Sequence, residues 1–152
     1  MHNDLWEYAL KVYARPGVQQ ACLRLQADGG NVCLLLCGAW LGSRGVAPSA
    51  ARVAQLQQVA GPWHAAVIEP LRSVRQGWRE QAREDARLDG LREQVKALEL
   101  RAEKVLLEDL RDVAQAWAGD GGLDVQGWLQ ALGPTKQDRD ALQALRDAAL
   151  DA

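Results

Sequence analysis

Five arginines, Arg72, Arg75, Arg79, Arg83 and Arg87, recur at intervals of three and four residues. On one unbroken helix that spacing would align five guanidiniums in a single stripe. A planar guanidinium presents paired donors that match carboxylate and phosphate oxygens, so the stripe is predicted to bind an acidic protein, a diphosphate or other anionic ligand, or a nucleic-acid backbone. Glu80, Glu84 and Asp85 are interleaved with it, and the competing expectations are a solvated helix face or pairing inside the molecule. Residues 1–87 carry ten Lys or Arg against seven Asp or Glu, and residues 88–152 carry eight against thirteen, so the halves have opposite charge. The chain as a whole is at −2, which ranks general nucleic-acid binding below a protein partner or self-association.

The other chemically capable residues are few. Cys33 and Cys37 lie four apart, with Cys22 nearby, but zinc wants four ligands and the only histidines are His2 and His64. Reduced, buried thiols and no metal are therefore expected. His64 follows Trp63 at what reads as a helix start, where the dipole would favour neutral imidazole. Asp120-Gly-Gly-Leu123 echoes half a calcium loop, but Ala116, Ala118 and Gly127 occupy ligand positions. No nucleophile elbow, P-loop, dinucleotide loop or HExxH pattern occurs. A non-enzymatic protein without a cofactor is the expectation. Six tryptophans and no phenylalanine leave large-ring packing to indoles, several of them expected at the core's edge because each N–H wants a partner. Trp40, Trp63 and Trp78 with His64 are the candidate lining of a ligand pocket.

The elements that must position these residues read as helices throughout. Apolar residues make up 48% of the chain and charged residues 25%, as in ordinary globular proteins. A length of 152 residues suits one domain with one core. The opening Met-His-Asn-Asp-Leu-Trp has neither a basic nor an apolar leader region, which predicts a cytoplasmic protein. Asn3 is a cap for a first helix running to Arg15, and Pro16 is the expected first residue of a second. Asn31 to Gly42 contains no charge or hydroxyl and is far shorter than the ~20 apolar residues a bilayer needs, so it reads as a buried central helix. A fourth helix starts near Ser49 and is expected to break at Gly61-Pro62. Two long helices with a bend near Asp89-Gly90 then fill 62–117. In the second, Leu91, Val95, Leu98, Ala102 and Val105 step by four and three, and Leu106, Leu110, Val113 and Trp117 follow on a stripe shifted by one residue. Asp124 should cap a helix through Leu132, and Thr135 with Asp138 a last one. The prediction is a single-domain all-α bundle of seven or eight helices over 1–152, with an N-terminal unit at 1–61 and a long-helix pair plus C-terminal helices at 62–152.

The opening Asn3-Asp-Leu-Trp-Glu-Tyr-Ala-Leu-Lys-Val-Tyr-Ala-Arg-Pro-Gly17, Ala21-Cys22-Leu23 and the block Asn31 to Gly42, with Pro62-Trp63 and the arginine helix, resemble a family of small uncharacterised proteobacterial proteins. That likeness covers about the first 80 residues and implies a bacterial helical protein without adding a mechanism. Ile68-Glu-Pro-Leu-Arg-Ser-Val-Arg-Gln-Gly-Trp-Arg79 is similar to a helical segment of squalene and phytoene synthase-type proteins, which bind prenyl diphosphates through magnesium on aspartate-rich motifs. Those motifs are absent here, so this likeness implies at most a non-catalytic relative. The leading expectation is an interaction or adaptor protein using the arginine helix. A small helical ligand-binding protein is the alternative, and nucleic-acid binding comes third.

Overall fold

The computed structural model describes residues 5–119, 121–133 and 138–151. Among these residues there is no strand. The helices are α1 (Leu5–Tyr13), α2 (Val18–Ala27), α3 (Val32–Ser43), α4 (Ala50–Trp63), α5 (Glu69–Gly77), α6 (Arg79–Ala82), α7 (Ala86–Ala114), α8 (Val125–Leu132) and α9 (Arg139–Asp151), with a π turn at His64–Ile68 joining α4 to α5. Counting the continuous rod from α4 to α5 once gives eight helices among the described residues, the all-α bundle expected from periodicity. No described helix is long and apolar enough to cross a membrane.

The charge-free run becomes the centre. Asn31 caps α3 by accepting a hydrogen bond on Oδ1 from the Leu34 amide at 3.3 Å, and every residue from Cys33 to Gly42 is buried. Helices α8, α7, α1, α9 and α4 surround it. The closest approach is that of α8, which is possible because α3 turns Gly38 and Gly42 towards it. A methyl at Gly42 would lie 2.6 Å from Val125 Cα. The Asp124 amide donates to the Gly42 carbonyl at 3.1 Å, and the buried Trp128 indole donates to the Val46 carbonyl at 2.7 Å, so the seam is hydrogen-bonded as well as packed. All three cysteines are free and buried. Burial pushes the Cys22 thiol up to about 12 and raises Cys33 and Cys37 further, which leaves them as inert apolar filling. Trp40 and Trp128 lie in the core, and Trp6, Trp63 and Trp117 are half-buried around it.

Local readings fail where a competing feature sets the boundary. Helix α1 ends at Tyr13, and α2 opens at Val18 rather than Pro16, because Gly17 takes φ 84° and turns the chain there. No break occurs at Gly61-Pro62: the helix runs through both and widens from His64, two residues after Pro62. Pro70 has no N–H, and its ring would press on the Ala66 carbonyl in a regular α-helix. The π turn relieves this, with the Glu69 amide reaching back to the His64 carbonyl. The bend expected at Asp89-Gly90 lies instead at 83–85. Asp85 Oδ1 accepts from the Arg87 and Leu88 amides at 3.0 and 3.4 Å, so α7 starts there and passes through Gly90 unbroken. Asp138 Oδ1 caps α9 through the Ala141 amide at 2.9 Å. Asn3, Asp120 and Thr135 lie outside the described residues.

The apolar pattern of α7 splits in an unexpected way. Leu106 and Leu110 are fully buried, whereas Leu91, Leu98 and Val105 are exposed. Only the C-terminal half of α7 belongs to the core. Its N-terminal half forms, with α5 and α6, an antiparallel helical arm: α6 packs substantially on α5 and α7 alone, and α5 on those two and the π turn.

Candidate interaction site on the helical arm

The five arginines do not share one stripe, because the helix expected to carry them is interrupted. Arg72 and Arg75 belong to α5, Arg79 to α6, Arg83 to the turn that follows and Arg87 to the first turn of α7. This separates them into two kinds.

Arg72 and Arg75 face α7. Arg72 is 8% exposed. Its Nε donates to Glu99 Oε2 at 3.2 Å, its Nη1 to Glu69 Oε1 at 2.9 Å, and its Nη2 lies 3.6 Å from Glu103 Oε2. Arg75 grips the same Glu99 with two bonds, Nε to Oε1 at 2.6 Å and Nη2 to Oε2 at 3.3 Å. Arg92 closes the contact from the other side, its Nε donating to the Arg75 carbonyl at 2.8 Å near the electron-rich end of α5. Glu99 thus takes both guanidiniums, and its carboxylate is nearly excluded from solvent. The expected attraction between the basic and acidic halves is real for these two arginines and fastens the arm at its root.

His64 joins this network through Nε2, 3.1 Å from Glu69 Oε1. It stands at a π turn inside a continuous rod and not at a helix N-terminus, so the cause expected from sequence does not apply. Burial is the main reason its pKa falls, with Arg72 adding to it and Glu69 opposing. Glu103 is pushed the other way, above the ordinary 4.5, chiefly by burial and next by Glu99. The folded protein therefore holds the Glu103 proton more tightly than the unfolded chain does, and stability on this account falls as pH rises through the folded-state value. Glu103→Gln removes that loss. In urea unfolding, the stability of E103Q relative to the parent should climb as the pH rises above the ordinary carboxyl value of 4.5, and a difference that stays flat would refute it.

Arg79, Arg83 and Arg87 are exposed. Arg83 lies 3.7 Å from Glu80 and Arg87 3.6 Å from Asp85, both open to solvent and worth little. Arg79 has no ion pair among the described residues. On α7, Leu91 and Leu98 are seven residues apart and so within about 20° of each other around the helix, with Arg87 about 40° from Leu91. Leu91 is 51% and Leu98 46% exposed. One side of the arm thus offers two large apolar side chains following an arginine, with further arginines at its tip.

The family model described as protein of unknown function (DUF2390) matches residues 4–110. The chain belongs to this family. The DUF2390 match takes in α1 to α6 and nearly all of α7, hence the whole arm and its root, and stops short of α8 and α9. No curated protein and no solved structure matches the chain, and nothing supports the likeness to squalene and phytoene synthases.

The candidate pocket residues are dispersed. Trp40 is in the core with Arg44 stacked on its ring at 4.8 Å. The Trp63 indole donates to the Ala102 carbonyl at 2.9 Å, pinning α4 to α7, and Trp78 is half-buried in the arm. With His64 they lie outside three clefts elsewhere in the structure. One of about 440 Å³ lies between α8 and α9, and one of about 230 Å³ follows the turn from α1 to α2. A third, of about 190 Å³, is enclosed by α1, α3, α7 and Gln26 of α2; periodicity gives no sign of it because its walls come from four helices. Among the described residues, no group of three or more His, Cys, Asp or Glu is placed to hold a metal ion.

Proposed function

We propose that the protein is a non-enzymatic bacterial cytoplasmic adaptor that uses the arm of α5, α6 and α7 to hold an acidic, amphipathic helix of a protein partner. The observation that carries this reading is that Leu91 and Leu98 stand exposed on the same side as Arg87, on the half of α7 that forms the arm with α5 and α6. A helix laid along that side would bury its apolar stripe on the two leucines and place its carboxylates near Arg79, Arg83 and Arg87. Arg72 and Arg75 are engaged by Glu99 and serve as the arm's anchor, so the contacting set is reduced to the three exposed arginines. Glu80, Glu84 and Asp85 among them disfavour a nucleic-acid backbone, which would meet carboxylates at the same surface.

The test separates charge from fold. Partners recovered with the tagged protein from its own cell extract at low salt should be lost when Arg79, Arg83 and Arg87 are all changed to Glu, and lost again with Leu91→Asp plus Leu98→Asp. Circular dichroism should stay that of the parent in both variants, since neither set is buried. Recovery unchanged by both variants would sink the proposal. Sedimentation of the purified chain distinguishes self-association, in which the recovered partner would be a second copy of this chain.

A further inference from the structure

The cleft between α1, α2, α3 and α7 differs from the others in pairing an apolar interior with one poorly compensated carboxylate. Its walls are Trp6, Leu36, Leu100 and Leu107, and its polar groups are Tyr13, Gln26 and Glu103. A volume of about 190 Å³ exceeds the ~150 Å³ of an apolar cavity that accepts a benzene ring. The carboxylate is Glu103, and the network behind it is unbalanced. Glu69, Glu99 and Glu103 bring three negative charges, Arg72 and Arg75 bring two positive ones, Arg92 bonds the Arg75 carbonyl and pairs with none of these carboxylates, and His64 is held towards neutrality by burial. Glu99 takes the short contacts, at 2.6 to 3.3 Å. Among the described residues, Glu103 is left with a single ion pair at 3.6 Å. The neighbouring Lys104 does not supply the missing charge, because its ammonium is placed over the Trp6 ring at 5.5 Å.

We propose that this cleft binds a small amphipathic amine, with its apolar body between Trp6, Leu36 and Leu100 and its ammonium on Glu103. The ammonium would complete the third carboxylate's pairing, and the apolar body would cover Leu100, which is otherwise 52% exposed. An anionic ligand of the same shape would meet Glu103 with like charge and be rejected. The site lies away from the exposed side of the arm, so it stands or falls independently of the adaptor reading.

Phenethylamine is a suitable probe, and 3-phenylpropionate is its anionic counterpart of similar size. Titrated into the isotopically labelled protein, phenethylamine should give saturable amide shifts centred on Leu10, Leu36 and Leu100, with a Kd of about 1 mM or tighter, as fits so small a ligand. 3-Phenylpropionate should bind at least about tenfold more weakly. Glu103→Gln should weaken the amine about tenfold and bring the two probes close together. Ala9→Phe, which places a ring in the cleft, should abolish the shifts wherever its spectrum shows the parent fold. Equal binding of both probes, amine affinity unchanged in E103Q, shifts centred outside the cleft, or no saturation would each overturn the proposal.

Discussion

Replacing Glu99 with alanine is expected to cost the native protein about 3 kcal/mol, the low end of what removal of one partner from a buried ion pair brings. The residue sits in the middle of α7, on a sequence stretch rich in charge, and would pass for a solvated surface glutamate. In the fold it is 7% exposed and is the common acceptor for Arg72 and Arg75. Without it Arg72 keeps Glu69 and a distant Glu103, while Arg75 loses both of its side-chain acceptors. The effect should be regional. Amide hydrogen exchange should accelerate through α5 and α6, which have few other contacts, and change least in α3, whose protection reflects the core. Urea unfolding measures the total, and a loss under about 1 kcal/mol would mean that the root of the arm is held mainly by packing.

The second large effect should come from a single methyl. Glycine to alanine inside a helix ordinarily stabilises by about 0.5–1 kcal/mol, and Gly42→Ala should do the reverse by about 3 kcal/mol or more. The added Cβ would stand 2.6 Å from Val125 Cα and 2.7 Å from the Asp124 carbonyl oxygen, and neither can yield without moving α8. Gly38→Ala meets Leu132 Cδ1 at 2.7 Å, which a change of rotamer can move, and Trp128 Cβ at 3.1 Å, which moves only with its backbone but by little, so about 1–2 kcal/mol is expected there. Gly90→Ala is the control. Nothing lies within 4 Å of a Cβ at Gly90, and that variant should gain stability by the ordinary helix increment. Thermal unfolding orders the three, and an unchanged or raised midpoint for G42A would refute the close α3–α8 seam.

Much of this arrangement can be read along the chain, and the parts that cannot share one cause. The run from Asn31 to Gly42 identifies itself as the core because it offers no polar side to water beyond its cap. Asp124 likewise marks the start of α8, because an N-cap acts within one turn. The π turn, the pairing of Arg72 and Arg75 with Glu99, and the third cleft all depend on which helix lies opposite, and no local pattern states that. The heptad spacing of Leu91 and Leu98 is the clearest instance. It predicts burial, and it would be right if α7 lay on the core for its whole length. Half of α7 extends past the core, so the same spacing yields an exposed apolar side. The separation of basic from acidic residues along the sequence did carry the arm's anchor in outline, but not which two of five arginines would be consumed by it.

The π turn at His64–Ile68 has a consequence for how the rod from α4 to α5 is phased. Each residue advances an α-helix by about 100°, so one extra residue in a turn offsets everything after it by roughly that angle relative to everything before. Leu56 and Ala60 are set against the core in one phase, and Arg72 and Arg75 are set against Glu99 in another. The rod therefore behaves as two rigid shafts joined by a fixed angular coupling, and the direction in which the arm's side chains point is adjusted by residue count at the coupling, independently of how α4 is seated below it.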